Sequence, residues 1–195
     1  GKPVLKNAHP HRDTTEQVAV VQNGIIENYL ELKTKLELDG IVFNSETDTE
    51  VIPHLIQKEL HNLGTLNLEN SGSTLLIAVR NVISDLEGAY AIAVIWSGSP
   101  DSLIVARKQA PLIIGLGEGE FVCASDTPAI TNITNTILPM EDEEMALLTP
   151  LGIEIYNSEN ERQYRNPISL KLSEQIVDKK HFKHYMLKEI YDQPQ

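Results

Sequence analysis

The sequence predicts an α+β fold in which helices cover a system of antiparallel sheets. The first 88 residues contain three segments with apolar residues at helical spacing. Seven short β-like runs follow them, separated by turn-rich pieces. These pieces are too short for crossover helices, which argues against a doubly wound parallel sheet. Together these observations predict hairpin-built sheets with one or two layers of helix.

Three helices are expected from the periodicity and from their end signals. The first covers residues 28–40 and begins with a capping box that starts at Asn28. The second, residues 47–64, also begins with a capping box, but Pro53 suits only a first turn and predicts a later cap or a kink. The third covers residues 73–88, with a serine as its cap and a glycine at its end.

The predicted strands are short. Residues 17–22 form a buried-strand candidate that ends at Asn23-Gly24, and residues 41–44 form another short strand. The seven later runs are residues 90–95, 103–106, 112–116, 121–124, 136–138, 145–148 and 153–156. Residues 126–128 predict a helix start with proline in the first helical position.

Composition predicts an acidic protein with one compact domain and a tail. The chain has 195 residues, of which 41% are hydrophobic, and its formal net charge of −12 disfavours nucleic-acid and anionic-membrane binding. No apolar run is long enough to cross a membrane, and the first residues are not expected to be a signal peptide. A single cysteine fits a reducing, cytoplasmic setting. The predicted domain covers residues 1–156, and residues 157–195 are predicted to be a tail and the start of a linker.

Asn23-Gly24 is the first candidate site. An isolated Asn-Gly pair is most often the type I′ turn of a hairpin. Here the following residues lead into a predicted helix, not into a return strand. In that setting, an amide side chain and a backbone N–H group can point at one oxyanion.

The acidic segment 45–50 is the second candidate site, and it contains Asp48. It is interpretable as a helix cap with a solvated face, as a metal site, or as a carboxylate that receives a ligand's ammonium group. The metal interpretation has little support, because no histidine lies at ligand spacing and no Asp-x-Asp-x-Asp loop is present. We predict no metal and no cofactor.

The other reactive residues favour structural roles. Cys123 lies inside a strand-like run and is expected to be a buried, inert thiol. Residues 115–119 are glycine-rich but lack the lysine of a phosphate loop, so they predict a hairpin turn. The acidic run 141–144 predicts a solvated turn. Structural roles are also expected for four histidines, which are His9, His11, His181 and His184.

Three stretches of sequence, taken in order, resemble one known family. They are residues 23–28, 45–50 and 184–194, with further similarity in residues 7–11, 87–90 and 124–126. The ordered set resembles the glutamine:fructose-6-phosphate aminotransferases, also called glucosamine-6-phosphate synthases, along nearly the whole chain.

The resemblance implies a glutaminase domain of the N-terminal-nucleophile type, an αββα four-layer sandwich with two antiparallel sheets. An initial cysteine attacks the side-chain amide of L-glutamine, and its own amine serves as the base. By this resemblance, Asn23 and Gly24 form the oxyanion hole, and Asp48 holds the α-ammonium group of glutamine. The released ammonia converts fructose 6-phosphate to glucosamine 6-phosphate in an isomerase domain, and the full-length form is expected to be a homodimer.

The sequence also departs from the family pattern. It has no initial cysteine, no Arg-Trp-Ala-Thr-His type of stretch before Gly1, and no isomerase domain, so this chain alone is expected to be inactive. Cys123 does not align with the nucleophile, and Gln22 replaces a frequent histidine. The alternatives are a glutaminase domain of another class II amidotransferase and a non-catalytic glutamine-binding module.

Overall fold

A computed structural model of the protein describes residues 2–64 and 71–170. In these residues, three helices pack on one face of a seven-stranded sheet, and a four-stranded sheet packs on the other face. The helices are α1 (Tyr29–Leu38), α2 (Val51–Leu63) and α3 (Ser71–Ser84). The named strands pair only in antiparallel fashion, as the predicted α+β class requires.

The large sheet contains the candidate pair Asn23-Gly24 in the second strand from one edge. Its strands, in spatial order, are β1 (His11–Arg12), β2 (Val18–Ile26), β3 (Gly88–Trp96), β4 (Leu103–Lys108), β8 (Met145–Thr149), β9 (Gly152–Tyr156) and β10 (Arg162–Gln163). The small sheet has the spatial order β11 (Ile168–Ser169), β7 (Thr136–Pro139), β5 (Ile113–Leu116) and β6 (Phe121–Ala124).

Alternation along the strands builds two separate cores. In β3, Tyr90 and Ile92 face the helices and belong to the larger hydrophobic cluster. Ala91, between them, belongs to the second cluster, which lies between the two sheets. Because successive side chains of a strand point to opposite faces, one strand serves both cores.

The structure confirms most of the predicted strands. The seven predicted β-runs correspond to β3 through β9, and residues 115–119 lie at the β5–β6 hairpin. The strand predicted at residues 41–44 is wrong, because this segment is irregular and the Glu50 carboxylate accepts the N–H group of Asn44 at 2.8 Å. Asp126 caps a 3₁₀ turn at Thr127–Ala129, as its Asp-Thr-Pro sequence predicts.

The short strands β10 and β11 lie in the segment that the sequence predicts to be a tail. β10 pairs with β9 and β11 pairs with β7, so this segment contributes to both sheets. Arg165, between them, forms a bidentate ion pair with the buried Glu144. The predicted solvated turn at 141–144 is therefore wrong for Glu144, which is 3% exposed. The domain boundary at residue 156 stays a prediction.

The three helices form in the predicted regions, but some of their ends differ. The Ser73 cap and the Gly88 end predicted for the third helix are wrong, because α3 spans Ser71–Ser84 and Gly88 begins β3. Asn28 is the N-cap residue of α1, as predicted, but it makes no side-chain capping bond. The Asn28 side chain donates to the Asp85 carbonyl at 2.8 Å and accepts the Glu87 N–H at 3.1 Å, so it makes no capping box. The capping box predicted to start at Thr47 is also wrong, because Glu50 is the N-cap residue of α2 and makes no side-chain capping bond. This later cap places Pro53 in the first turn, as its missing N–H group requires.

Candidate functional site

Asn23 and Gly24 lie inside strand β2 and not in a turn. Asn23 pairs with Ala91 and Gly24 pairs with Tyr90. The strand continues to Ile26, so its predicted end at Gln22 is wrong, and the hairpin-turn interpretation is excluded. Helix α1 begins three residues after the strand ends, so a helix and not a return strand follows, as predicted. The oxyanion role of the pair stays a prediction.

The backbone at Gly24 accepts only glycine. Its φ is +135°, and a Cβ atom there would lie 2.1 Å from the carbonyl oxygen of Ala89. Gly88, which pairs with Ile26, has φ +112° and would bring a Cβ to 2.3 Å from the carbonyl oxygen of Ile25. The backbones of β2 and β3 therefore approach each other closely at Gly24 and directly after it, which only glycine permits.

Asn23 lies on the face of the large sheet that carries the inter-sheet core. It shares this face with its partner Ala91, and also with Val21 and Ile25 of its own strand. Asn23 is exposed, and Val21 and Ile25 are exposed by 44% and 65%. The Asn23 amide thus stands on an open part of the sheet between two apolar side chains.

Asp48 meets this strand through the backbone. Its Oδ2 atom accepts the N–H group of Ile26 at 2.7 Å. The bond joins residues that are 22 positions apart in the sequence, and its donor, Ile26, lies two residues after Gly24 in β2. Among the described residues, Asp48 Oδ1 accepts no hydrogen bond, so this oxygen is free for a cationic ligand.

A buried carboxylate holds the irregular segment around Asp48. The Glu50 side chain accepts the N–H groups of Asn44 and Ser45 at 2.8 and 2.6 Å, and also the Ser45 hydroxyl. Burial raises the pKa of Glu50, but these donors and His54 outweigh burial and hold it below its usual range. The segment therefore folds around an ionised carboxylate at neutral pH.

His11 supports the same segment from strand β1. Its Nε2 atom lies 3.0 Å from the Thr47 hydroxyl, which lies 2.9 Å from the Ser45 hydroxyl. Burial and the neighbouring His9 lower the pKa of His11, so its imidazole is neutral at pH 7. His11 therefore contacts, as a neutral imidazole, the segment that carries Asp48, and its structural role stays a prediction.

Gln22 also contacts the segment around Asp48, which the sequence did not predict. Its Oε1 atom accepts a hydrogen bond from the hydroxyl of Thr49, the residue after Asp48. Alternation along β2 places Gln22 on the inward face with Val18 and Val20. A polar residue at an inward position of a strand is the sequence signal that could have found it.

None of the remaining candidates adds a described group to this site. Cys123 is partly buried in β6, and burial raises the pKa of its thiol, which disfavours the reactive thiolate. No group of three metal-ligating side chains occurs within residues 2–64 and 71–170. His181, His184 and the stretch 184–194 lie outside the described residues. No helix in the described ranges is long and apolar enough to cross a membrane.

Comparison with known proteins identifies similar sequences. Residues 4–132 match a family model described as a glutamine amidotransferase domain. The chain is 57% identical over 194 residues to the glutamine–fructose-6-phosphate aminotransferase (isomerizing) of Thermosynechococcus vestitus, matching 100% of this chain and 30% of that protein. The equivalent proteins of Nostoc sp. and Aquifex aeolicus are 56% and 48% identical, again over 100% of this chain. The chain thus spans about 30% of the length of these relatives.

Solved structures show the same fold. The glutamine phosphoribosylpyrophosphate amidotransferase from B. subtilis, complexed with ADP and GMP, aligns with a TM-score of 0.63 and 29% identity, over 84% of this chain and 33% of that chain. The allosteric regulatory enzyme of purine biosynthesis aligns with a TM-score of 0.62 and 29% identity, over 83% of this chain and 32% of that one. These likenesses confirm the predicted N-terminal-nucleophile type of αββα sandwich, of which the described residues form the helix layer and two sheets.

Proposed function

This chain belongs to the glutamine amidotransferase domain family, and we propose that it binds L-glutamine and releases ammonia from its side-chain amide. The observation that carries this proposal is the meeting of Asp48 with the Asn23-Gly24 strand, through its bond to the Ile26 N–H at 2.7 Å. A carboxylate bonded to the strand that carries an exposed amide supplies one group for the α-ammonium and one for the side-chain amide of an amino acid substrate.

We assign the residues the following roles. The Asn23 side-chain amide and the Gly24 N–H group stabilise the oxyanion that forms when the glutamine amide is attacked. Asp48 binds the α-ammonium group through its free oxygen. The attacking thiolate is assigned to the N-terminal cysteine that the family resemblance implies, since burial keeps Cys123 protonated in the small sheet.

The activity of the whole protein is also a proposal. Relatives that match all of this chain at 48–57% identity are named glutamine–fructose-6-phosphate aminotransferases. We therefore propose that ammonia from this domain aminates fructose 6-phosphate in the full-length protein, which we expect to be a homodimer. The alternative, a phosphoribosylpyrophosphate amidotransferase, rests on a structural likeness at only 29% identity.

Glutamine hydrolysis by the full-length protein tests the assigned roles. Asn23→Ala should lower kcat about 10²–10³-fold, because it removes a donor that acts on the oxyanion. Asp48→Asn should raise KM for glutamine about 10–100-fold, because it removes a charge-assisted bond of about 1.5–3 kcal/mol and can still accept the Ile26 N–H.

Matched controls use the same substitutions at exposed positions. Asn132→Ala and Asp101→Asn change equivalent side chains away from the site and should leave both constants within twofold of the parent. Parent-like kcat and KM for both site variants would refute the assigned roles. Addition of fructose 6-phosphate then distinguishes the two proposed activities. Only a fructose-6-phosphate aminotransferase forms glucosamine 6-phosphate from it, and a phosphoribosylpyrophosphate amidotransferase does not.

A further inference from the structure

One hydrogen bond lies directly behind the proposed site. It joins Gln22, which precedes Asn23, to Thr49, which follows Asp48. Thr49 is 2% exposed, and the Gln22 amide nitrogen is buried without a hydrogen-bond partner in the described ranges 2–64 and 71–170. The Thr49–Gln22 bond is therefore shielded from water, which makes its loss costly.

This bond is the second of two attachments between strand β2 and the segment that carries Asp48. The first is the bond from the Ile26 N–H group to the Asp48 carboxylate. On β2, the attachment points at Gln22 and Ile26 lie on either side of Asn23-Gly24. One hydrogen bond allows the segment that carries Asp48 to pivot, whereas two bonds at separate points of β2 fix the orientation of this segment.

The elements behind the bond are rigid. Gln22 pairs with Ile92 in the large sheet, and Ile92 belongs to the helix-side core. Thr49 lies just before α2, which packs against β2. Each of the two residues is held by its own packed element. The bond between them therefore fixes the distance between strand β2 and the segment that carries Asp48.

We propose that Gln22 and Thr49 are positioning residues that set the separation of the oxyanion donors from the ammonium-binding carboxylate. This inference rests on the proposed function. A misplacement of about 1 Å can cost about 10²-fold in rate, because the substrate must reach both groups at once. Loss of this one bond should therefore affect both kcat and KM for glutamine, although Asp48 is the only proposed site residue that is adjacent to Thr49 in the sequence.

The test is steady-state glutamine hydrolysis by the full-length protein. Thr49→Val keeps the side-chain shape and removes the hydroxyl, and we expect kcat/KM to fall about 10–100-fold, with a lower kcat and a higher KM. Thr49→Ser keeps the hydroxyl and should restore most of the lost activity. Thr34→Val is the matched control, because the Thr34 hydroxyl bonds only the Leu30 carbonyl on the exposed side of α1.

A double variant separates positioning from a simple stability defect. Thr49→Val alone leaves the Gln22 amide unpaired, whereas Gln22→Met with Thr49→Val replaces both polar partners by apolar groups of similar shape. We expect the double variant to recover the parent's unfolding midpoint but to keep the kinetic defect. It also supplies the kinetic measurement if Thr49→Val is too unstable to purify.

Two results would overturn the inference: parent-like kinetics for Thr49→Val, or a double variant that recovers both kinetic constants together with stability. Failure of the proposed function has a different signature, because Asp48→Asn would then leave KM for glutamine unchanged whatever happens at Thr49.

Discussion

Replacement of Gly24 by alanine tests the close approach of strands β2 and β3 beside the proposed site. The new Cβ would lie 2.1 Å from the carbonyl oxygen of Ala89 and 2.8 Å from the Cα atom of Tyr90. Both are backbone atoms of the large sheet, so no side-chain rotation relieves the contact. The φ of +135° adds strain, because residues with a Cβ atom rarely adopt this backbone angle.

The expected cost has two parts. Backbone strain of this kind costs about 1–3 kcal/mol, and overpacking adds about 1–3 kcal/mol. We therefore expect Gly24→Ala to lower the free energy of unfolding by about 2–6 kcal/mol, a large part of the roughly 5–15 kcal/mol typical of a domain. Gly152 is the matched control, because its φ is +139° but no atom lies within 4 Å of its Cβ position. Gly152→Ala should cost only the strain, about 1–3 kcal/mol.

Urea unfolding measures both variants. Trp96 is the single tryptophan of the chain and packs against the helix-side core, so its fluorescence follows the loss of that core. A change in stability appears as a lower midpoint at an unchanged slope. If Gly24→Ala costs no more than Gly152→Ala, the contact with Ala89 does not constrain the strands and the reasoning fails.

Two further predictions concern buried charge. Arg165→Ala should cost about 3–5 kcal/mol, because it leaves the buried Glu144 carboxylate without its bidentate partner. Arg162→Ala, which breaks a more exposed pair with Glu154, should cost about 0–1 kcal/mol in the same unfolding assay, and equal costs would contradict the burial argument. Burial lowers the pKa of His54 in the folded state below its ordinary value of 6.5, so the unfolded chain binds the proton more readily and stability should fall as the pH drops below about 6.5. His54→Leu should reduce this fall between pH 7.5 and 5.5, and an unchanged pH dependence would show that His54 does not cause it.

Local patterns were enough to predict most of the sheets. The seven runs from β3 to β9 are short, apolar and bounded by turn residues, and these signals act within a few positions of the chain. The start of α2 shows the same kind of local constraint. Pro53 predicted a later cap, and the structure places the cap at Glu50.

Predictions failed where a polar side chain bonds to a distant residue. Asn28 is in the right place for a cap, but it bonds to the Asp85 carbonyl, 57 positions away. Glu144 lies in an acidic run, but Arg165 takes it into a buried ion pair. Residues 41–44 have strand-like composition, but the Glu50 carboxylate takes an N–H group that a strand would use. Each choice depends on which partner the fold brings near.

The sequence by itself determined the family, because a motif in order along the chain needs no coordinates, and from that resemblance it proposed Asn23, Gly24 and Asp48 as site residues. Only the tertiary structure decided that Asp48 bonds to the strand that carries Asn23 and Gly24. The bond from the Ile26 N–H to Asp48 spans 22 positions, and the bond from Thr49 to Gln22 spans 27. Contacts of this length depend on how α2 packs on β2 and on the register of β2 with β3, which come from the packing of the whole core.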